Sequence, residues 1–209
     1  MEKEAESQAK SKGFAAREVF GEALVLASAS PRRAEILRTV AWPFEKLAVD
    51  IDEKRFEGEG AVAYVERLAR EKAEAAAPQR AGRLVLGADT VVVVDDQILG
   101  KPLDEGDARR MLRLLSGRWH EVLTGIALVR DGVEPGLVVA HETTRVRFAQ
   151  MTEAEVEWYV ASGEPLDKAG AYAIQGRAAL FIEEISGDYW NVVGLPIQLV
   201  YKLRRKAEG

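Results

Sequence analysis

The fold of this 209-residue chain is decided by one stretch, Leu24-Val25-Leu26-Ala27-Ser28-Ala29-Ser30-Pro31-Arg32-Arg33-Ala34-Glu35-Ile36-Leu37. Its first four residues are apolar and uninterrupted, which predicts a short buried β-strand. A helix is predicted to begin near the middle of the stretch, because Ser30 is a favourable N-cap and Pro31 suits the first helical turn. We expect this helix to run to about Thr39.

The turn between this strand and helix has the composition of an anion-binding site. The first turn of a helix offers free backbone N–H groups and a partial positive charge. Arg32 and Arg33 would add two cations whose forked donors suit phosphate oxygens. A capped surface helix with two solvated arginines explains the same residues equally well, so the pattern by itself leaves both interpretations open.

Composition narrows the range of functions. Hydrophobic residues make up 47% and charged residues 30%, as in an ordinary globular protein, and the net charge of −5 argues against non-specific nucleic-acid binding. The absence of cysteine excludes disulfides, thiolate catalysis and cysteine-ligated zinc. The two histidines, His120 and His141, are too few and too far apart for a His-rich metal site. Any bound metal is expected to be a hard, oxygen-ligated ion, with Mg²⁺ the leading candidate.

The N-terminal segment 1–21 is polar and charged, and we expect it to be a solvated extension of a single domain over residues 22–209. It lacks the apolar core of a signal peptide. No apolar run reaches the length needed to span a membrane. The expected compartment is the cytoplasm.

An α/β fold with a mixed sheet is predicted, because helices and strands interleave and several long strands are joined by hairpins. Thr152 and Glu155 form a capping-box signature. Residues 164–176 are predicted to be a long loop. Helices are predicted over residues 61–77, 104–116, 152–162 and 196–206, and strands over residues 44–49, 84–95 (whole, or broken at Gly87-Ala88), 122–130, 136–148 and 180–185.

One acidic cluster and one isolated aspartate are candidates for a functional role. Asp50-Ile51-Asp52-Glu53 is better explained, on its own, by a solvated acidic strand end than by a metal-binding or catalytic carboxylate. Asp89 stands alone in a β-branched run, where burying a carboxylate is costly. A catalytic role at a kink in the sheet is favoured over a hydrogen-bonded bulge residue, because the glycine nearby allows a ligand to approach.

Two lysines and a histidine are ambiguous from the sequence. Lys72 lies on a charged helix, where a lysine is normally solvated. Gly100-Lys101-Pro102 predicts a turn that presents its lysine, although it lacks the pattern of a Walker A loop. His120 is as well explained by packing or turn stabilisation as by a ligand role.

Several segments match known signatures: S-x-S-P-R-R at 28–33, R-L-A-x-x-K-A at 67–73, G-A-D-T at 87–90, S-G-x-x-H-x-V at 116–122, K-A-G-A-Y-x-I-Q-G at 168–176 and a closing segment at 188–196. Together they resemble the Maf family of nucleoside triphosphate pyrophosphatases, which were first linked to septum formation. The resemblance extends from about Leu24 to Leu203. It implies a two-lobed α/β fold around a twisted mixed sheet, similar to that of inosine triphosphate pyrophosphatases, and a homodimer.

The resemblance also implies an activity. Maf proteins hydrolyse a nucleoside triphosphate to the monophosphate and pyrophosphate, and the signature at 168–176 marks the branch that acts on dTTP and UTP. The implied catalytic residues are Asp89, Glu53, Lys72 and Lys101, with Asp89 as the proton acceptor. Glu53 and Asp89 would hold Mg²⁺, or Mn²⁺ as the alternative. The implied substrate-binding residues are Ser28, Arg32, Arg33, Thr90 and Gln175.

A second hypothesis belongs to a different class. The same pocket could serve a non-catalytic, nucleotide-binding regulator of septum formation. The presence of both acidic residues and both lysines argues against this alternative.

Overall fold

The computed structural model of the chain describes residues 18–130, 132 and 136–208, without the side chains of 207 and 208. Most of the expected N-terminal extension, residues 1–17, lies outside this part of the chain. The strands are β1 (Leu24–Ala27), β2 (Phe44–Lys46), β3 (Leu84–Val94), β4 (Gln97–Leu99), β5 (Trp119–Arg130), β6 (Leu137–Phe148) and β7 (Ile182–Ser186). The helices are α1 (Pro31–Thr39), α2 (Ala61–Ala76), α3 (Glu105–Leu115), α4 (Glu153–Val160), α5 (Tyr189–Val193) and α6 (Ile197–Glu208).

One mixed sheet organises these elements, which confirms the predicted α/β fold. The strand order is β2-β1-β3-β5-β6-β7, with β4 paired to one end of β3. Strands β2, β1 and β3 run parallel, whereas β3, β5, β6 and β7 pair antiparallel. Strand β3 is continuous through Gly87 and Ala88, so the alternative of two broken strands is wrong.

Two apolar cores lie at opposite ends of the long strands β3 and β5 and give the fold its two lobes. In one lobe, α3 and α4 pack on the C-terminal half of β3 and the start of β5. In the other, α1 and α6 cover β1, the N-terminal half of β3 and the end of β5. Shared strands therefore hold the two lobes in one sheet, with room for a cleft between them.

Helix α2 packs very closely on the sheet, and two glycines make this approach feasible. A Cβ at Gly87 of β3 would lie 2.0 Å from the carbonyl oxygen of Ala69, and one at Gly125 of β5 would lie 2.2 Å from that of Val65. Both distances are far inside van der Waals contact. Any larger residue at either position would push α2 away from the strands.

Local sequence signals account for most element boundaries. The capping box is present, because Thr152 Oγ1 accepts a hydrogen bond from Glu155 N and the Glu155 side chain accepts one from Thr152 N. Ser30 occupies the N-cap of α1, but its side chain makes no capping hydrogen bond. Strand β2 ends at Lys46 rather than at Val49, so the segment that follows is irregular.

The predicted loop over 164–176 is built from tight turns. Short 3₁₀ segments cover Glu164–Asp167, Ala169–Ala171 and, just beyond the loop, Arg177–Leu180. Gly170 has φ 67°, and a Cβ there would lie 2.7 Å from a methyl carbon of Val92, so glycine suits both the backbone and the space. Within the described ranges, no helix combines the length and apolar character needed to cross a bilayer.

Candidate active site

A cleft of about 540 Å³ opens between the two lobes. Its walls come from the turn before α1, from the middle of β3, from one face of α2 and from the 3₁₀ segments of the other lobe. All nine site residues expected from the sequence line this cleft: Ser28, Arg32, Arg33, Glu53, Lys72, Asp89, Thr90, Lys101 and Gln175. The fold thus brings together residues that are up to 147 positions apart (175 − 28).

The centre of the cleft is a lysine held by two carboxylates. Lys72 Nζ lies 2.6 Å from Asp89 Oδ1 and 2.6 Å from Glu53 Oε1. Lys72 and Asp89 are each only 9% exposed, whereas half of the Glu53 side chain faces solvent. Helix α2 can deliver the ammonium because Gly125 lies opposite Asp89 in the neighbouring strand and lets the helix approach.

The two carboxylates differ in their proton affinity. Burial raises the pKa of Asp89, and the nearby charges of Lys72 and Arg33 offset only part of this effect. Partial burial also acts to raise the pKa of Glu53, but hydrogen bonding and attraction by Lys72 outweigh it, so the pKa of Glu53 is lowered. Asp89 is consequently the better proton acceptor, and Glu53 keeps its negative charge more readily.

Arg33 is buried and is already engaged by the protein. Its Nε donates to the carbonyl of Gly194 at 2.8 Å, and Nη1 donates to Ser28 Oγ at 3.1 Å and to the carbonyl of Ala88 at 2.9 Å. Its Nη2 donates to Thr90 Oγ1 at 3.0 Å. Burial lowers the pKa of Arg33, but a guanidinium stays protonated. Its charge therefore reaches the cleft while one N–H of Nη2 remains for a ligand.

Arg32 spans the mouth of the cleft. Its Nη1 donates to Asp167 Oδ2 at 3.2 Å and its Nη2 donates to the carbonyl of the same residue at 3.3 Å. Lys168 also pairs with the Asp167 carboxylate. This contact joins the start of α1 to a 3₁₀ segment of the other lobe.

Lys101 and Gln175 present polar groups without competing contacts. Both side chains are exposed, and neither forms a hydrogen bond with another described residue. Tyr159 fixes the backbone near Gln175, because its Oη accepts a hydrogen bond from Ala173 N at 3.1 Å and donates one to Glu164 Oε1 at 2.8 Å. The amide of Gln175 is thus free on a supported segment.

His120 belongs to the core of one lobe. Its Nε2 lies 2.8 Å from Tyr172 Oη, and its ring packs edge-on against Phe148 and Tyr172. It does not line the cleft. The packing explanation for His120 therefore fits the structure better than a ligand role.

The carboxylate pair fits a hard divalent ion. Lys72 contacts Asp89 Oδ1 and Glu53 Oε1, and no described residue donates a hydrogen bond to Asp89 Oδ2 or Glu53 Oε2. Both residues line the cleft, so each carboxylate keeps one oxygen for a further partner. No cluster of three or more metal-binding side chains occurs among the described residues. Mg²⁺ commonly takes one or two carboxylates and completes its coordination with substrate phosphates and water, so two donors are sufficient.

Among the cleft-lining residues that were not predicted as site residues, Tyr64 and Asp167 make polar contacts with predicted ones. Tyr64 on α2 donates from its hydroxyl to the carbonyl of Glu53 at 2.8 Å and so supports the acidic segment. Asp167 pairs with Arg32 as described above. The one feature of the sequence that could have indicated Asp167 is its position directly before the K-A-G-A-Y-x-I-Q-G signature. The sequence around Tyr64 is that of an ordinary amphipathic helix and gave no indication of its role.

The structure places the chain in the class of α/β proteins with a mixed sheet and an interlobe cleft, and here cationic side chains surround a pair of carboxylates in that cleft. Within that class, the family model described as Maf-like protein matches residues 23–207, and the chain belongs to the Maf family. It is 55% identical over 174 residues to a dTTP/UTP pyrophosphatase of Symbiobacterium thermophilum, covering 83% of this chain and 88% of the relative. It is 49% identical over 188 residues to a dTTP/UTP pyrophosphatase of Koribacter versatilis, covering 90% and 96%.

A solved structure supports the fold. A HAM1 protein from Coxiella burnetii superposes with a TM-score of 0.50 at 19% identity, over 88% of this chain and 98% of the other. At this identity the likeness concerns the fold alone.

Proposed function

We propose that this chain is a nucleoside triphosphate pyrophosphatase that converts dTTP and UTP to the monophosphate and pyrophosphate. The observation that carries the proposal is the Lys72 ammonium held between Asp89 and Glu53 at the centre of the cleft. Relatives about half identical over most of the chain bear the name dTTP/UTP pyrophosphatase. These names favour catalysis over the non-catalytic regulator of septum formation.

Charge neutralisation is the first task of the site, because a triphosphate carries several negative charges. Lys72, Lys101 and Arg33 place cations around the cleft, and the first turn of α1, which lines the cleft, adds the partial positive charge of a helix N-terminus. The transition state of phosphoryl transfer spreads charge over the phosphate oxygens, so cations fixed at those oxygens stabilise it more than they stabilise the bound substrate. Ser28 and Thr90 orient Arg33 through their hydroxyl oxygens.

Water activation is assigned to Asp89. Its raised pKa makes it a stronger base than an exposed aspartate, and it accepts the proton as the water oxygen attacks the α-phosphorus. The α–β bridging oxygen then leaves with pyrophosphate. Mg²⁺, with Mn²⁺ as the alternative, would be held by Glu53 and Asp89 and would neutralise phosphate charge.

Base recognition is assigned to Gln175, with help from Arg32 and Thr90. An amide both donates and accepts hydrogen bonds, so it can pair with the edge that uracil and thymine share. Cytosine reverses part of this edge, and purines are larger. The proposal includes a homodimer acting in the cytoplasm on a small-molecule substrate, with neither nucleic acid nor a membrane as partner.

The deciding experiment is a pyrophosphate-release assay over the eight common ribo- and deoxyribonucleoside triphosphates with Mg²⁺. We expect UTP and dTTP to be hydrolysed well and ATP and GTP poorly. Saturable nucleotide binding without turnover of any triphosphate would favour the regulator. A preference for GTP would leave the pyrophosphatase assignment intact and overturn the pyrimidine specificity.

A further inference from the structure

Glu53 lies on an irregular segment, yet its carboxylate must stay beside Lys72. Strand β2 ends at Lys46 and α2 begins at Ala61, so residues 47–60 contain no helix or strand. A carboxylate on such a segment needs an anchor if it is to hold one position, because an unanchored segment samples many conformations. The contacts of residues 53–59 with α2 show where this anchor lies.

Arg67, in the first half of α2, contacts three residues of this segment. Its Nη2 donates to the carbonyl of Lys54 at 3.1 Å, directly after Glu53. Its Nε and Nη2 donate to the two carboxylate oxygens of Glu59 at 2.6 and 2.8 Å, which is the bidentate geometry that arginine favours. The Phe56 ring lies 4.1 Å from the guanidinium carbon and stacks on it.

This arginine is enclosed rather than solvated. The side chains of Arg67 and Glu59 are 11% and 9% exposed, respectively. Glu71, one turn along α2, pairs with Nη1 at 3.2 Å and fixes the guanidinium from the other side. The hydrogen bond from Arg67 lowers the pKa of Glu59, so the pair stays ionised at neutral pH. Enclosed, bidentate pairs of this kind hold geometry better than exposed ion pairs.

We propose that Arg67 is a positioning residue that fixes the 53–59 segment against α2 and thereby sets the Glu53 carboxylate beside Lys72. Arg67 itself is absent from the cleft lining, so it acts on the reaction only through Glu53. The proposal rests on the function proposed above. Tyr64 assists at the other end of the same anchor through its hydrogen bond to the Glu53 carbonyl.

Lysine cannot replace Arg67 in this role. A lysine keeps the charge but offers a point contact in place of a planar fork, so it cannot hold Glu59 bidentately and the Lys54 carbonyl at once. The chain also offers a matched control on the same helix. Arg70 pairs with Glu74 four residues later at 4.0 Å, with both side chains about half exposed, and in the described part of the chain it forms no hydrogen bond or ion pair with residues 50–59.

The test compares Arg67→Gln, Arg67→Lys and Tyr64→Phe with Arg70→Gln and the wild type. Two experiments are made on each protein: steady-state kinetics, which gives kcat and KM for UTP at several Mg²⁺ concentrations, and amide hydrogen exchange of residues 50–60 without nucleotide. In Arg67→Gln we expect kcat to fall about tenfold to hundredfold through misplacement of Glu53, with KM changing less than about threefold. Exchange over 50–60 should rise, and half-saturation should need more Mg²⁺.

The remaining variants test whether the effect depends on the guanidinium and on this segment. Arg67→Lys should lie between Arg67→Gln and the wild type in both measurements, and Tyr64→Phe should show the same changes more weakly. Arg70→Gln should match the wild type. An Arg67→Gln protein with wild-type kcat, or with reduced kcat but unchanged exchange over 50–60, would overturn the positioning role. If the wild type turned over no triphosphate, the proposed function would fail, and the exchange comparison would still decide the structural role of Arg67.

Discussion

The ammonium of Lys72 lies 2.6 Å from the carboxylate of Asp89, and both groups are buried in the wall of the cleft. Separating such a pair leaves a charge without a partner in a poorly solvated place, which is strongly unfavourable. Glu53 shares the same ammonium from the solvent side. The pair is therefore expected to stay together until a phosphate or a metal ion offers new partners.

Replacing Asp89 by asparagine should separate catalysis from binding. Asp89→Asn keeps the shape of the side chain and removes its basicity, so kcat should fall by roughly 10²–10⁴ while nucleotide still binds. Steady-state kinetics and equilibrium binding of UTP test this. Asp96→Asn, in the exposed turn after β3, is the control and should leave both quantities unchanged. A near-wild-type kcat in Asp89→Asn would remove Asp89 from the role of proton acceptor.

Activity should depend on a hard divalent ion. Chelation should abolish UTP hydrolysis, and Mg²⁺ or Mn²⁺ should restore it, because the donors in the cleft are carboxylate oxygens. Glu53→Gln should raise the Mg²⁺ concentration needed for half-maximal activity. Full activity after exhaustive chelation would show that the lysines and arginines suffice alone.

Gln175 should control the choice of base. Gln175→Ala should lower kcat/KM for UTP about tenfold to hundredfold, because the edge of the bound base then loses its partner, and each such unpaired group costs about 1–3 kcal/mol. The low value for GTP should change little. Gln175→Glu keeps the acceptor but loses the amide donor and should act similarly. Gln79→Ala, at an exposed site outside the cleft lining, is the matched control. An unchanged ratio of UTP to GTP in both variants would contradict the assignment.

Weakening the contact between Arg32 and Asp167 should tighten substrate binding. Asp167→Asn removes an acidic group from the mouth of the cleft and leaves Arg32 held only by neutral hydrogen-bond acceptors, among them the Asp167 carbonyl. KM for UTP should therefore fall about twofold to fivefold, in line with the strength of an exposed ion pair. The pair Arg118–Asp95 is also exposed and lies outside the cleft lining, so Asp95→Asn should not change KM. A higher KM in Asp167→Asn would show that Asp167 supports the substrate instead of competing with it.

His120 should make the fold sensitive to acid. Burial lowers its pKa from 6.5 to about 4, so the unfolded chain binds the proton more readily than the folded chain, and stability falls as the pH drops through this range. Between pH 7 and pH 5 this histidine should remove about 2 kcal/mol of unfolding free energy. His120→Gln keeps a nitrogen near Tyr172 but does not titrate. Urea unfolding at both pH values should therefore show a smaller loss in His120→Gln, and an equal loss would contradict this role.

Local signals in the sequence predicted much of the fold. The apolar run at Leu24–Ala27 and the capping box at Thr152 depend on neighbouring residues, and both are confirmed. The family resemblance supplied the site residues, and these line one cleft. The partners of the arginines could not be predicted, because Arg32 meets Asp167 and Arg33 meets Gly194 across separations of 135 and 161 positions. A backbone carbonyl such as that of Gly194 has no signature, since every residue carries one.

Strand β2 ends at Lys46, three residues before the predicted end at Val49, and this difference changes the course of the acidic segment. An extended strand to Val49 would have placed the acidic residues at a sheet edge. The irregular segment instead folds back onto α2, where Arg67 and Tyr64 contact it. Side-chain contacts with a later helix decide this course, and the local sequence does not contain them.

The position of the Lys72 ammonium in the cleft depends on the absence of side chains at Gly87 and Gly125. How far the Lys72 ammonium extends toward Asp89 is set by the distance between α2 and the sheet. That distance is short because Gly87 and Gly125 carry a hydrogen atom where other residues carry a Cβ. A single methyl group at Gly125, which is outside the cleft lining, would push α2 away from the sheet and draw the ammonium away from Asp89. The same methyl group would loosen the core beneath the helix, so a fault at this position would damage the catalytic centre and the folded chain together.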